Sequence, residues 1–406
     1  MTFDARPVLA ALALILAGLV PAGEAMAASF DNCVAGLKSA ARAKGVSSGT
    51  ANAAFRGIRP DPDVLAKARH QPEFKKTLWE YLDTTTSDLR VENGRKYKRE
   101  HARLLNAIEA RYGVDQNIVL AIWGMESNYG HILEDPTIVK STIRSLATLA
   151  CQGGRRSSYG KGQLIAALQI LQRGDVAPGR MTGSWAGAMG HTQFIPTTYN
   201  AYAVDFTGDG RRDIWDSIPD ALASTANYLK RAGWQSGKTW GYEVKVSRTF
   251  NYGLADGSTK RSISEWQKLG VGRANGRPFP RGGDQAYLTF PAGARGPGFL
   301  MLQNSRVIRR YNNAFAYALA VGHLADRIGG GNAFVSDWPR GDRPLGLAER
   351  KEMQSILNRQ GYAVGTVDGK VGPATRAAIR SFQLKAGLPA DGNASLFLLQ
   401  RLKAGG

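Results

Sequence analysis

The chain has 406 residues, 43% of them apolar and 21% charged, with 48 glycines. That length suits two or three packed units rather than one, and the composition excludes an intrinsically disordered or collagen-like chain. Lys and Arg number 53 against 33 Asp and Glu, a formal charge of +20 that points to a polyanionic partner: nucleic acid, acidic lipid or an anionic wall polymer.

At the start of the chain Arg6 precedes an apolar run over 7–20, a Pro-Ala-Gly break and Ala25-Met26-Ala27. This pattern predicts a secretory signal over 1–27, cut after Ala27. The run, about 14 residues, falls short of the roughly 20 needed to span a bilayer, so a soluble exported protein with no integral membrane span is expected, in the periplasm. Export argues against nucleic acid as the partner. Cys33 and Cys151 are the only cysteines. An even count in an oxidising compartment favours a disulfide over two buried thiols.

From residue 29 to about 240 the periodicity is helical, with apolar residues at three and four spacing over 98–111, 116–127 and 161–172. From 242 to 308 short β-branched or aromatic runs alternate with Gly and Pro clusters, predicting strands over 243–246, 286–290, 299–302 and 306–308. Helix returns over 313–327 and stops at the triple glycine 329–331. A stretch rich in Pro, Gly and charge over 336–344 reads as a linker. Beyond it, 345–406 carries three helical segments, 347–359, 373–382 and 395–402, enough for a small independent module. The fold class is therefore mainly α: a catalytic body over 28–335 with a small strand-containing subregion, and a three-helix module.

Two segments carry chemistry. Seven of the eight residues 118–125 are apolar, so the helix they form is buried, and Glu126 ends the run. Desolvation and the negative end of the helix dipole both raise the pKa of such a carboxyl, which suits a general acid for glycosidic cleavage. The alternative is a glutamate that emerges into solvent. The second segment runs from Ser184 to Tyr199; Gly187 and Gly190 let backbone approach a ligand, Gln193 offers a donor and an acceptor, and Ser184 a hydroxyl. Its alternative is a packed loop.

These two segments, with Asp205-Phe-Thr-Gly-Asp-Gly-Arg-Arg-Asp-Ile-Trp-Asp216, Ala226-Asn-Tyr228 and Tyr311-Asn-Asn-Ala-Phe-Ala-Tyr317, occur in the order found in B-type lytic murein transglycosylases, which the chain resembles over 30–330. The resemblance implies a lysozyme-like fold, Glu126 as the one catalytic residue and no cofactor for the chemistry. It further implies sugar contacts from Ser184 and Gln193, aromatic cleft positions at Tyr159, Tyr228, Tyr311 and Tyr317 with Asn312 beside them, and a basic pair, Arg155 and Arg156, near the substrate's peptide or acetyl groups. The substrate implied is the peptidoglycan glycan strand, cut between N-acetylmuramic acid and N-acetylglucosamine with formation of a 1,6-anhydro end. A hydrolytic muramidase and an inactive wall-binding scaffold are the rival readings. The histidines, His70, His101, His131, His191 and His323, form no HExxH or i,i+4 pair, which disfavours a metal-dependent amidase.

Residues 205–216 also resemble an EF-hand loop, with Asp205, Thr207, Asp209 and the Arg211 carbonyl at ligand positions and Asp220 as an alternative terminal ligand to Asp216. The two readings are a structural Ca2+ and a metal-free Asp-Gly turn. Residues 361–383 resemble the three-helix peptidoglycan-binding domain. Its Asp-Gly pairs are turn formers, and Arg376 and Arg380 stand on one side where they could meet wall carboxylates. The sequence identifies no protein partner.

Overall fold

The computed structural model describes residues 22–69 and 76–405. The expected signal over 1–27 lies outside the described residues as far as 21, and the helix Ala22–Arg42 runs through the expected cleavage point.

The helical body is built on two cores. At the centre of the first is the helix Gln116–Ser127, in which Ile118 to Gly124 are all buried. A helix apolar on every side can only be a core helix. Four helices surround it: Asp88–Glu100, Ala102–Tyr112, Ile218–Arg231 and Phe315–Ile328. The second core forms where Thr142–Cys151 packs along Ser157–Arg173. Gly160 permits the contact, since a Cβ there would stand 2.6 Å from the Ala150 nitrogen. The first helix closes this core and is bonded to it by the disulfide Cys33–Cys151.

The strand-containing subregion is one five-stranded antiparallel sheet in the spatial order Lys260–Ser262, Gln285–Thr289, Gly298–Met301, Gly241–Val246 and Val271–Arg273. Trp266 seals one face, fully buried, its indole N–H donating to the Ala286 carbonyl at 3.0 Å.

Three local expectations are corrected. The strand expected over 306–308 is part of the helix Gln303–Tyr311, which buries Asn304, Ser305, Val307 and Ile308 and exposes Arg306 and Arg310. Three residues are too few to tell a period of 2 from 3.6. The helix expected over 98–111 is broken at His101, where ψ is 22° and the chain starts a second helix. The central helix ends at Ser127, where its periodicity predicts, because Asn128 and Tyr129 adopt left-handed backbone, with φ 50° and 59°. Finally, the stretch expected as a linker is fastened to both sides. Trp338 packs against Trp79, Phe299 and Phe334. Arg340 pairs with Asp83 through both guanidinium nitrogens, and Asp342 accepts from the Phe397 N–H at 2.7 Å.

The C-terminal module packs Leu347–Arg359, Pro373–Lys385 and Leu396–Lys403 around Met353, Leu357, Ile379 and Phe382. One device occurs twice in it. Gln354 accepts from Gly369 N–H at 2.7 Å, and Gln383 accepts from Gly392 N–H at 2.9 Å, so each Asp-Gly turn is clamped by a buried glutamine on a neighbouring helix. These motif residues specify the turns of the module.

Candidate active site

The end of the central helix is held on three sides. Asp115 caps its start by accepting from Asn117 N–H at 2.7 Å. At its end Arg90 donates to the Gly124 carbonyl at 2.8 Å, satisfying one of the acceptors a helix terminus leaves free. Tyr129 folds back over Gly124 and Gly94 and donates to the Arg90 carbonyl at 2.8 Å. A Cβ on either glycine would lie 2.6 Å from the Tyr129 ring or hydroxyl. Ser127 donates to the His191 carbonyl at 3.0 Å and accepts from Gly130 N–H at 3.1 Å, tying the helix end to the glycine-rich loop. The Trp123 indole donates to His191 Nδ1 at 3.1 Å, so that nitrogen carries a lone pair. Burial pushes the His191 pKa down to about 4, which keeps the ring neutral, a structural part.

Glu126 projects from this fixed end. It is half-buried, and burial raises its pKa to about 7; the only opposing effect is the Tyr317 hydroxyl, which donates to Oε1 at 2.6 Å and favours the anion. Among the described residues no charged side chain is a cause of the shift. A carboxyl at this value is protonated in a large fraction of molecules at neutral pH and can give up its proton there.

The loop beside it is rigid. Thr182–Gly183 pairs with Lys140–Ser141, and Met189 bridges both Gly183 and Phe194. Gly190 has φ 58°, and a Cβ on it would stand 2.3 Å from the Ile214 carbonyl oxygen. Ser184 Oγ accepts from Ala188 N–H at 3.1 Å, which leaves its own proton free to donate. Gln193, in left-handed backbone at φ 52°, donates to the Gly190 carbonyl at 2.9 Å and keeps its carbonyl oxygen and one N–H for a ligand.

The tyrosines join this loop to the helices. Tyr311 donates to the Thr192 carbonyl at 2.6 Å and lies edge-to-face with Tyr228 at 5.1 Å, while Tyr159 donates to the Ala186 carbonyl at 3.0 Å. The Arg156 guanidinium lies over Trp185 at 5.0 Å. Glu126, Ser184, Gln193, Tyr159, Tyr228, Tyr311, Tyr317 and Arg156 are thus linked through one loop. Arg155 is exposed, and Asn312 accepts from Ala314 N–H at 3.2 Å as a local cap; neither contacts Glu126. Tyr81, from the helix Leu78–Thr85, is a neighbour the sequence reading missed: it feels the Glu126 charge, which together with burial raises its pKa.

In the 205–220 loop, ligand oxygens of Asp205, Asp209 and Asp220 lie within 4.8 Å of one another. Asp220 is fully buried and its pKa is raised by that burial. Its oxygens accept from the backbone N–H groups of Phe206, Thr207 and Asp213, while Thr207 donates to Asp205 at 3.2 Å. Asp216 instead pairs with Arg180. The donors are all oxygen, the set a hard cation takes, and a cation there would offset the cost of the buried Asp220 charge.

Comparison with known proteins agrees with this arrangement. Residues 29–326 match the family model for the transglycosylase SLT domain, and 347–402 match that for the putative peptidoglycan binding domain. The membrane-bound lytic murein transglycosylase B of Escherichia coli K12 is 34% identical over 240 residues, 59% of this chain; the chain spans 63% of that relative's length. Among solved structures, SltB3 from Pseudomonas aeruginosa in complex with NAG-anhNAM-pentapeptide is 50% identical, with a TM-score of 0.82 over 92% of this chain and 99% of that one. Escherichia coli lytic transglycosylase Slt35 in complex with calcium is 27% identical, with a TM-score of 0.60 over 74% and 92%. With its glutamate helix, glycine-rich loop and three-helix module in place, the chain belongs to the SLT-domain transglycosylase family.

Proposed function

We propose that the protein is a lytic transglycosylase that cleaves peptidoglycan glycan strands without water. The observation that carries this reading is the raised pKa of Glu126, whose causes among the described residues are burial and the neutral Tyr317 hydroxyl, with no second carboxyl among them. Glycosidases that use two carboxyl groups set the second about 5–9.5 Å from the first, as nucleophile or as base for water. No second carboxyl acts on Glu126 among the described residues, and with one carboxyl the nucleophile comes from the substrate. Glu126 protonates the oxygen between N-acetylmuramic acid and N-acetylglucosamine, and the C1–O bond breaks. The resulting carboxylate then takes the proton of the muramic acid's C6 hydroxyl as that oxygen bonds C1, closing the 1,6-anhydro ring and restoring the acid. Tethering the nucleophile to the reacting ring replaces activation of a separate water.

Within this reading Tyr317 orients Glu126, while Ser184, Gln193, Tyr159, Tyr228, Tyr311, Asn312, Arg155 and Arg156 contact the sugar or its substituents. The chain divides into a signal over 1–27, a catalytic body over 28–335, a connector over 336–344 and a binding module over 345–406, and it works in the periplasm. No helix among the described residues is long and apolar enough to cross a membrane. Asp205, Thr207, Asp209, the Arg211 carbonyl and Asp220 hold a structural Ca2+; the calcium complex of the Slt35 relative supports this.

Mass spectrometry of sacculus digests tests the reaction. Anhydromuramic ends are expected from the wild type and no soluble fragments from Glu126→Gln. Reducing ends would make the enzyme a hydrolytic muramidase.

A further inference from the structure

The module and the sheet subregion do not merely touch; they enclose a cleft of about 300 Å3. Its position is fixed by the turn after Gln285–Thr289, where Ala294 N–H donates to Asp391 at 2.6 Å and Arg295 lies over the Phe397 ring at 4.3 Å. One wall is aromatic: Tyr252 and Phe290 meet edge-to-face at 5.0 Å. The opposite wall is basic, carrying Arg376 and Arg380 from successive turns of Pro373–Lys385.

The two arginines and two aspartates that line the cleft form no ion pair with one another. Asp256 spends its oxygens on Ser258 N–H and on the N–H and hydroxyl of Thr259. Asp391 spends its own on Gln383, Asn393 N–H and Ala294 N–H. Neither forms an ion pair with the arginines that share the cleft with it. Arg380 Nε is buried and has no hydrogen-bond acceptor. A buried donor left without a partner is costly, and it marks a guanidinium that no neighbouring protein group has taken up. Gly392 is what allows Arg380 to lie there, because a Cβ at that residue would sit 3.2 Å from Nε.

Two guanidinium groups one helical turn apart, facing an aromatic pair, make a receptor for a planar carboxylate attached to an apolar or amide-bearing body. We propose that this cleft is a second substrate site, binding a free carboxylate of a peptidoglycan peptide stem while the strand occupies the Glu126 cleft. It rests on the proposed wall substrate and adds a subsite for the peptide, formed jointly by the two domains. In the intact wall the lactyl carboxyl of each muramic acid is tied up in the amide to its stem, so the free carboxylates lie on the peptide.

The test is pelleting with sacculi, carried out in the full chain with Glu126→Gln so that binding is read without digestion. Adding Arg376→Gln and Arg380→Gln is expected to raise the protein concentration needed for half-saturation at least about fivefold, the loss of bidentate charge-assisted contacts. The difference is expected to vanish on sacculi whose free carboxyl groups have been converted to amides. A soluble stem tetrapeptide should displace the protein that keeps both arginines and leave the variant unaffected. Arg376→Gln alone, at an exposed position, gives part of the loss without disturbing the module core. Equal binding of the arginine variant to intact sacculi, or a difference that survives amidation of the free carboxyls, overturns the proposal. Absence of binding by the protein with both arginines would instead overturn the wall-substrate reading on which it rests.

Discussion

At the scale of single residues the proposed reaction depends on one proton, that of Glu126. With the Glu126 pKa raised to about 7, kcat/KM is expected to fall as pH rises through that value, because the acid form disappears. Tyr317→Phe removes the one interaction that favours the anion, so the fall should move to higher pH while the rate drops about tenfold through lost orientation; a pH-rate profile shows both. The same burial carries a stability cost. A carboxyl whose folded pKa lies above its unfolded value loses stability as pH rises from about 4.5 to about 7 and stays penalised above. Glu126→Gln, expected to lower activity by at least about 100-fold, should therefore be the more stable protein at pH 8, by up to about 3 kcal/mol, and no more stable at pH 4. Thermal unfolding at the two pH values tests this. Glu126 was legible in the sequence because a carboxylate ending a buried apolar run is chemically conspicuous. Tyr81 was not, because it lies 45 positions away on a helix with no motif, brought in only by packing.

At the scale of elements, the site depends on how the central helix ends. Asn128 and Tyr129 take left-handed backbone that side chains ordinarily avoid, and Tyr129 then needs both Gly94 and Gly124 to be bare. Gly124→Ala is expected to push Tyr129 away, costing about 1–3 kcal/mol of stability in denaturant unfolding and lowering activity through displaced Glu126. Long helices with clear periodicity, such as Gln116–Ser127 and Leu347–Arg359, were readable to within a residue. What escaped was decided by tertiary contact. The turn at His101 interrupts an unbroken periodic pattern, and Gln303–Tyr311 is helical because two adjacent pairs, Asn304 with Ser305 and Val307 with Ile308, are buried against the body. The glutamine clamps on the Asp-Gly turns were equally hidden, since each joins residues more than eight positions apart across a core.

At the scale of the whole molecule, composition predicted a divided chain but not how firmly its parts are joined. The connector is held by Trp338, Arg340 and Asp342, so the module is docked against the sheet subregion. Replacing Trp338 with Ala should cost about 3–5 kcal/mol, read as a lower unfolding midpoint for the body that holds its ring. The positive charge identified at the outset fits the carboxylate-rich wall of the proposed substrate, and sacculus binding should weaken with added salt.

The bond between Cys33 and Cys151 has a further consequence. Glu126 lies inside the covalent ring it closes, whose ends are 118 positions apart. A protease that cuts anywhere between those cysteines produces two fragments that remain one molecule, held by the bond as well as by the shared core. A chain nicked in a loop of that segment is expected to separate on a denaturing gel only after reduction.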